Sequence, residues 1–278
     1  MFTTVHVVGK GSVAQQCAEL VQSFGVPCRF LDRGGISGAF AEKRALGADF
    51  ASSPATPAAI EAILKDGAKT LVLSVNNDFL FPGSWLENSK AVVINYHNSL
   101  LPKHRGMNAE AWTIFEGDST AGITWHLVDK GIDTGKILFQ KTLPIHDDTT
   151  SISLLQAQGK EAKLLLQEHL PTLLSGRLTP LEASSAGAGR IHYKKDVPGN
   201  GVLEPTWPTR TIWNFLRAMD YGPYNTLGTP AIWVSGEKYS WHGYAMLNNE
   251  EQEGTLNFSR PSILINNVIS LNNVYKLI

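Results

Sequence analysis

The amino-terminal part of the chain alternates short apolar runs with segments whose apolar residues recur at helical spacing. Thr4–Val8 and Pro27–Leu31 are typical of buried strands, and Val13–Phe24 between them is typical of a helix. A second pair follows, with a helical pattern over Ala58–Lys65 and an apolar strand over Thr70–Val75. Strands separated by helices need crossover connections, which place neighbouring strands parallel. The sequence therefore predicts an α/β fold with an open, mostly parallel sheet.

The same rules extend to the rest of the chain. Before residue 183 they predict strands at Val92–Asn95, Gly122–Val128 and Lys136–Leu143, and helices at Glu110–Glu116 and Ser151–Leu174. Beyond it they predict a helix at Thr209–Met219 and strands at Ala231–Val234, Ser240–Met246, Ser262–Asn266, Val268–Ser270 and Val274–Leu277. Small residues at 184–189 are typical of a linker. We predict a catalytic domain over 1–183, a linker over 184–189 and a smaller, β-rich C-terminal domain over 190–278.

Composition limits the class of protein. Of the 278 residues, 43% are hydrophobic and 18% charged, with a net charge of −1, which is ordinary for a globular protein and gives no sign of a polyanionic partner. We expect no nucleic-acid partner and no membrane partner, because no apolar run approaches the roughly 20 residues that span a bilayer. The first residues do not resemble a signal peptide, and Cys17 and Cys28 favour buried thiols, although their count allows one disulfide. These features predict a cytoplasmic protein.

Three polar residues follow or lie between the central predicted strands. Asn95 and His97 lie where one strand is predicted to end, and Asp133 lies in the turn between two others. Ligands of open α/β sheets bind beyond the carboxyl ends of the strands. An amide can donate a hydrogen bond to an oxyanion, an imidazole can carry a proton, and a carboxylate can accept one. Together the three side chains predict acyl-transfer chemistry.

The sequence around these residues resembles that of the folate-dependent formyltransferases. The matching motifs are Asn95-Tyr96-His97, Ser99-Leu100-Leu101-Pro102 and Asp133-Thr134-Gly135, and the resemblance covers roughly residues 1–180. It implies a formyltransferase fold with a Rossmann-like sheet, 10-formyltetrahydrofolate as co-substrate, and catalytic roles for Asn95, His97 and Asp133.

The resemblance also implies a folate-binding cleft. Its expected residues are Phe79, Leu80, Phe81, Leu86, Ser99, Leu100, Leu101, Pro102, Val128, Asp129, Gly131 and Ile132. The apolar members suit a flat aromatic ligand, and Gly131 is expected to allow close approach of the backbone to it. We expect no metal site, because two cysteines and eight scattered histidines have no ligand spacing. His126 is expected to be a packed strand residue.

The acceptor of the formyl group is less defined. Arg190–Tyr193 and Ile212–Met219 resemble the start of the C-terminal domain in relatives of methionyl-tRNA formyltransferase. Residues 190–278, however, hold eight Lys and Arg against seven Asp and Glu, so they lack the basic surface that tRNA requires. Gly122–His126 and Arg217–Asn225 resemble formylation domains of nonribosomal peptide synthetases. This second resemblance implies an amino acid as acceptor, or an aminoacyl group presented by a carrier protein.

Other functions remain open from sequence. Within the same fold they are a sugar-nucleotide N-formyltransferase, a hydroxyornithine N-formyltransferase and a formyltetrahydrofolate hydrolase. From a different class, Gly9-Lys10-Gly11 between a strand and a helix suggests a nicotinamide-dependent oxidoreductase. The third glycine of that dinucleotide pattern is missing, so we interpret these residues as a turn. The alternative is that they have a role on the substrate side of the site.

Overall fold

The computed structural model describes residues 1–34, 52–87, 90–181, 189–247 and 250–277. The chain divides into two compact units. Unit 1 comprises Met1–Arg105, Gly122–Leu143 and Ala157–Ile191, and unit 2 comprises Gly106–Ala121, Pro144–Gln156 and His192–Ile278. Unit 2 thus also draws on two segments that precede residue 183. The linker predicted at 184–189 lies outside the described residues except for Gly189, and the predicted domain boundaries stay a prediction.

A seven-stranded sheet forms the centre of unit 1. Its strands are β1 (Thr4–Gly9), β2 (Cys28–Asp32), β3 (Ser52–Pro54), β4 (Thr70–Val75), β5 (Val92–His97), β7 (Thr120–Leu127) and β8 (Ile137–Pro144). The order is β3-β2-β1-β4-β5-β7-β8, and the two-residue strand β6 (Arg105–Gly106) lies outside this sheet. The first five strands in this order are parallel, and β5 pairs with β7 antiparallel. The predicted open, mostly parallel sheet is confirmed.

Helices cover this sheet and explain its apolar strands. The α-helices among the described residues are α1 (Gly11–Ser23), α2 (Pro57–Lys65), α3 (Gly83–Glu87), α4 (Ala109–Phe115), α5 (Ser151–Leu174) and α6 (Thr209–Ala218). Strand β4 is buried along its whole length, as expected of a central parallel strand with both faces covered. One core cluster joins α1 and α5 to the sheet, and another joins α2 to it. Cys17 and Cys28 are free thiols.

The C-terminal residues form two four-stranded sheets in unit 2. The strands of this region are β9 (Ile191–His192), β10 (Val202–Leu203), β11 (Ala231–Val234), β12 (Glu237–Ser240), β13 (Gly243–Met246), β14 (Leu256–Ser259), β15 (Ser262–Ile265), β16 (Ile269–Asn272) and β17 (Tyr275–Lys276). One sheet has the order β10-β11-β12-β17 and the other β13-β16-β15-β14. The buried side chains of α6, such as Ile212 and Phe215, pack with apolar residues of both sheets. The predicted β-rich C-terminal region is confirmed.

Most predicted strands differ from the observed ones by one or two residues at an end, and two differences affect the topology or the site. The single strand predicted at Ser240–Met246 is wrong, because β12 pairs with β11 while β13 pairs with β16 in the other sheet. The strand predicted to end at Asn95 continues to His97, where β5 still pairs with β7. Among the described residues, no helix combines the length and the apolar character needed to cross a membrane.

The turn at Gly9-Lys10-Gly11 has a packing explanation. Gly9 ends β1, and a Cβ atom there would overlap the carbonyl oxygen of Val75 and lie 3.0 Å from the Cβ of Ala14. Gly11 begins α1 with a positive φ of 76°. Glycine at position 9 therefore lets β1, β4 and α1 approach one another closely.

We expect Gly9→Ala to lower the free energy of unfolding by about 1–3 kcal/mol, the usual effect of forcing an extra methyl group into a packed site. Urea unfolding monitored by circular dichroism measures it. Gly243→Ala is the matched control, because Gly243 has open space around its Cβ position and should change stability by no more than about 0.5 kcal/mol. Equal unfolding midpoints for the two variants would contradict the packing explanation.

Candidate active site

Asn95 and His97 lie at the carboxyl end of β5. Because these two residues are two positions apart on the strand, their side chains point to the same face of the sheet. Asp133 comes from the connection between β7 and β8 and has a positive φ of 50°, a backbone conformation that aspartate tolerates better than most residues. The structure brings together the three residues that the sequence predicts to be catalytic.

His97 is held in one tautomer by a backbone carbonyl group. Its Nε2 lies 2.9 Å from the carbonyl oxygen of His104, which can only accept, so Nε2 carries the proton. In the neutral ring Nδ1 therefore keeps a lone pair. Nδ1 lies 3.5 Å from Oδ2 of Asp133. The nitrogen that can take up a proton thus faces the carboxylate.

Burial controls the charge of His97. The side chain is only 8% exposed, and burial lowers the pKa of His97 below its ordinary value of 6.5. The carboxylate of Asp133 and the His104 carbonyl act in the opposite direction but are weaker, and His126 and His104 lower the pKa further. His97 is therefore neutral at pH 7, the form in which Nδ1 can accept a proton.

Asn95 is held from both sides. Its Oδ1 accepts a hydrogen bond of 2.7 Å from Oγ of Ser74, and its Nδ2 lies 3.2 Å from Nε2 of His126. Nε2 of His126 also lies 3.4 Å from Oδ1 of Asp133. The expectation that His126 is only a packed strand residue is therefore wrong, because its side chain lies against two of the three predicted catalytic residues.

A pocket of about 110 Å³ opens beside these residues. The predicted residues that line it are Phe79, Leu80, Phe81, Asn95, Val128, Asp129, Gly131, Ile132 and Asp133. Residues that the sequence analysis missed are Ser74, Asn77, His126 and Lys130. Leu80 is 69% exposed, so an apolar side chain faces the open space of the pocket. Aromatic and apolar walls with a few polar groups are typical of sites for small ligands.

Five residues predicted to contact the ligand have other contacts. Leu86 packs against an apolar cluster beneath the sheet. The segment 99–102 is tied to strand β7, where the backbone N–H of Leu101 donates to Oγ1 of Thr124 at 3.1 Å, and this hydroxyl donates to the carbonyl of Ser99 at 2.6 Å. These residues are not part of the lining of this pocket, so their role in ligand binding stays a prediction.

The turn that carries Asp133 is closed by its own side chains. Oδ1 of Asp129 accepts hydrogen bonds from the backbone N–H of Gly131 at 2.9 Å and from Oγ1 of Thr134 at 2.6 Å. A Cβ atom at position 131 would overlap the Thr134 side chain. Gly131 is thus required by the neighbouring threonine, and because it also lines the pocket, its expected role in the approach of a ligand stays a prediction.

Comparison with known protein families gives a match over residues 14–170, more than half of the chain, to the family described as "Formyl transferase". In sequence the chain is similar to GDP-perosamine N-formyltransferase of Brucella melitensis biotype 1, with 34% identity over 154 residues, covering 55% of this chain and 58% of that protein. It is also similar to methionyl-tRNA formyltransferase of a Synechococcus strain, JA-3-3Ab, with 36% identity over 167 residues, covering 59% and 49%. The matched segments thus span about half the length of these relatives.

Among solved structures, the fold is similar to that of WlaRD, described as a sugar 3N-formyl transferase and crystallised with dTDP and 5-N-formyl-THF. The TM-score is 0.77 at 18% sequence identity, and the likeness covers 100% of this chain and 98% of the other. At this identity the likeness concerns the fold.

The buried neutral His97 predicts a dependence of stability on pH. Its folded pKa lies below the unfolded value of about 6.5, so its contribution is present above that pH and is lost as the pH falls. We expect the free energy of unfolding of the wild type to fall toward pH 5 more steeply than that of His97→Gln, by at most about 1.4 kcal/mol per pH unit, the limit for one proton. Urea unfolding from pH 7.5 to 5 measures this. His242→Gln, at an exposed position, controls for loss of a histidine as such, and parallel curves for wild type and His97→Gln would refute the prediction.

Proposed function

The chain belongs to the formyl transferase family, and we propose that it transfers the formyl group of 10-formyltetrahydrofolate to an amine of a nucleotide-linked sugar. The observation that carries the formyl-transfer part is the cluster of Asn95, His97 and Asp133, of which Asn95 and Asp133 line a pocket with aromatic and apolar walls. The residues fit a flat folate ring: Phe79 and Phe81 pack edge to face at 5.4 Å, and Leu80 offers an exposed apolar surface beside them.

The donor supplies an activated formyl group, which the amine attacks. The carbonyl oxygen becomes negatively charged as the new carbon–nitrogen bond forms, and the N–H of Asn95 is suited to stabilise that charge. Because the carbonyl of His104 holds the proton on Nε2, the Nδ1 atom of His97 is the nitrogen that can take the proton of the attacking amine. Asp133, 3.5 Å away, stabilises the imidazolium that results. The proton is then given to the departing folate nitrogen, so the proton balance closes.

The acceptor is proposed from two observations. The relatives include GDP-perosamine N-formyltransferase at 34% identity. This similarity favours a sugar nucleotide as acceptor over the aminoacyl acceptor that the sequence motifs predict. The similarity to methionyl-tRNA formyltransferase is of the same order. Residues 190–278 are nearly neutral, with eight Lys and Arg against seven Asp and Glu, which disfavours tRNA because phosphate contacts require a basic surface. Presentation of the acceptor by a carrier protein has no support beyond the sequence wording, and the cytoplasmic location stays a prediction.

A panel of acceptors tests the proposal. The protein is incubated with 10-formyltetrahydrofolate and, separately, with GDP- and dTDP-linked amino sugars, hydroxyornithine, an aminoacyl carrier protein, methionyl-tRNA and no acceptor, and products are weighed by mass spectrometry. We expect a formyl mass gain on an amino-sugar nucleotide. Gain on another acceptor would overturn the choice of sugar, whereas consumption of the folate without any formylated product would indicate a hydrolase.

His97→Ala tests the mechanism. We expect turnover to fall by about 100-fold or more, since positioned general acid–base groups contribute factors of this size. Circular dichroism should show that the fold survives. His242→Ala is the control, because His242 is exposed and belongs to unit 2, and it should keep wild-type turnover. Near-normal activity of His97→Ala would exclude the proposed proton path.

A further inference from the structure

A chain of hydrogen bonds runs along one wall of the pocket and has a defined direction. It begins at the backbone N–H of Phe79, which donates to Oδ1 of Asn77 at 3.0 Å. The amide atom of Asn77 that faces this N–H group must be the oxygen, because only the oxygen can accept. The N–H₂ group therefore points the other way. Nδ2 of Asn77 then donates to Oγ of Ser74 at 3.1 Å.

The hydroxyl group of Ser74 accepts a hydrogen bond from Asn77 and donates one to Asn95. Since Oγ accepts from Asn77, its own proton is available for the bond of 2.7 Å to Oδ1 of Asn95. A donor on that side fixes the rotation of the Asn95 amide. Its N–H₂ group must point away from Ser74.

The other end of the chain is a backbone carbonyl group. Nδ1 of His126 lies 2.8 Å from the carbonyl oxygen of Leu127, which can only accept, so Nδ1 carries the proton of the ring. In the neutral ring Nε2 then has a lone pair, and it accepts from Nδ2 of Asn95 at 3.2 Å. Backbone groups therefore fix the direction of the hydrogen bonds at both ends.

We propose that Ser74, Asn77 and His126 are positioning residues that orient the Asn95 amide for formyl transfer. One N–H of Asn95 is directed to His126, and the second remains for the oxygen of a formyl group bound in the pocket that Asn95 lines. An oriented donor needs no reorganisation when negative charge develops on that oxygen, which is the condition for strong stabilisation. The inference rests on the proposed function.

His126 also lies beside the carboxylate of the site. Its Nε2 is 3.4 Å from Oδ1 of Asp133, and His97 lies on the other side of that carboxylate at 3.5 Å. A side chain without an acceptor at this place should release the Asn95 amide and reduce turnover.

Two substitutions separate positioning from packing. His126→Gln keeps an acceptor near the place of Nε2, so it should retain most of the wild-type turnover. His126→Leu fills space without an acceptor and should lower kcat by at least about tenfold, but by less than the roughly 100- to 1000-fold that follows removal of an oxyanion donor itself. The KM for 10-formyltetrahydrofolate should stay near the wild-type value. Equal kcat for His126→Leu and wild type would overturn the proposal.

Ser74→Ala provides a second test if His126→Leu fails to fold. It removes the hydroxyl proton that fixes the amide of Asn95, and it should lower kcat with little effect on KM. A change in KM alone would assign Ser74 to ligand binding and contradict the proposal.

A spectroscopic measurement keeps this inference distinct from the proposed function. In protein with ¹⁵N-labelled histidine, the ring of His126 at pH 8 should carry its proton on Nδ1. If no acceptor is formylated, the proposed function fails while this result still decides the orientation of Asn95. A ring with its proton on Nε2 would overturn the positioning role whether or not the protein is active.

Discussion

The antiparallel pairing of β5 with β7 is the constraint on which the site depends. In this register Asn95 lies opposite His126, and His97 lies opposite Thr124. Thr124 in turn holds the segment that follows β5 through its hydroxyl group. Strand β7 ends beside the first half of β5, where Leu127 lies opposite Ile94, and the connection that follows it carries Asp133 back to His97, 3.5 Å away. The pairing thus brings the amide and both imidazoles together, and the connection after β7 adds the carboxylate.

Burial and backbone contacts then determine what these groups can do. Low solvent exposure keeps His97 neutral, and two carbonyl groups, of His104 and Leu127, decide which nitrogen of each imidazole carries the proton. Neither carbonyl can titrate, so the orientation of each ring's donor and acceptor is a property of the backbone. The side chains of the site are therefore arranged before any ligand binds, which is the arrangement expected of a preorganised catalytic site.

Much of the fold and the three candidate catalytic residues can be predicted from the sequence. The helix at Ser151–Leu174 and the strand at Thr70–Val75 were predicted with the bounds that the structure has, because their apolar patterns are uninterrupted. The three candidate catalytic residues lie in short sequence motifs that resemble those of the folate-dependent formyltransferases. His126 was missed because its role comes from cross-strand register, and a strand pattern alone does not tell which strand will lie opposite. The hydrogen bonds of Ser74 and Asn77 were missed for the same reason, as serine and asparagine at a strand end are ordinary turn residues.

The closed turn of Asp129, Gly131 and Thr134 has a consequence for how the chain can vary. The turn fixes the number of residues between the end of β7 and Asp133, since one residue more or fewer would break the bonds to Asp129 and carry the carboxylate away from His97. Gly135 adds to this restriction, because a Cβ atom there would overlap the carbonyl oxygen of Leu127. Insertions and deletions within this connection are therefore disfavoured, and an alignment of the family should show no gaps there.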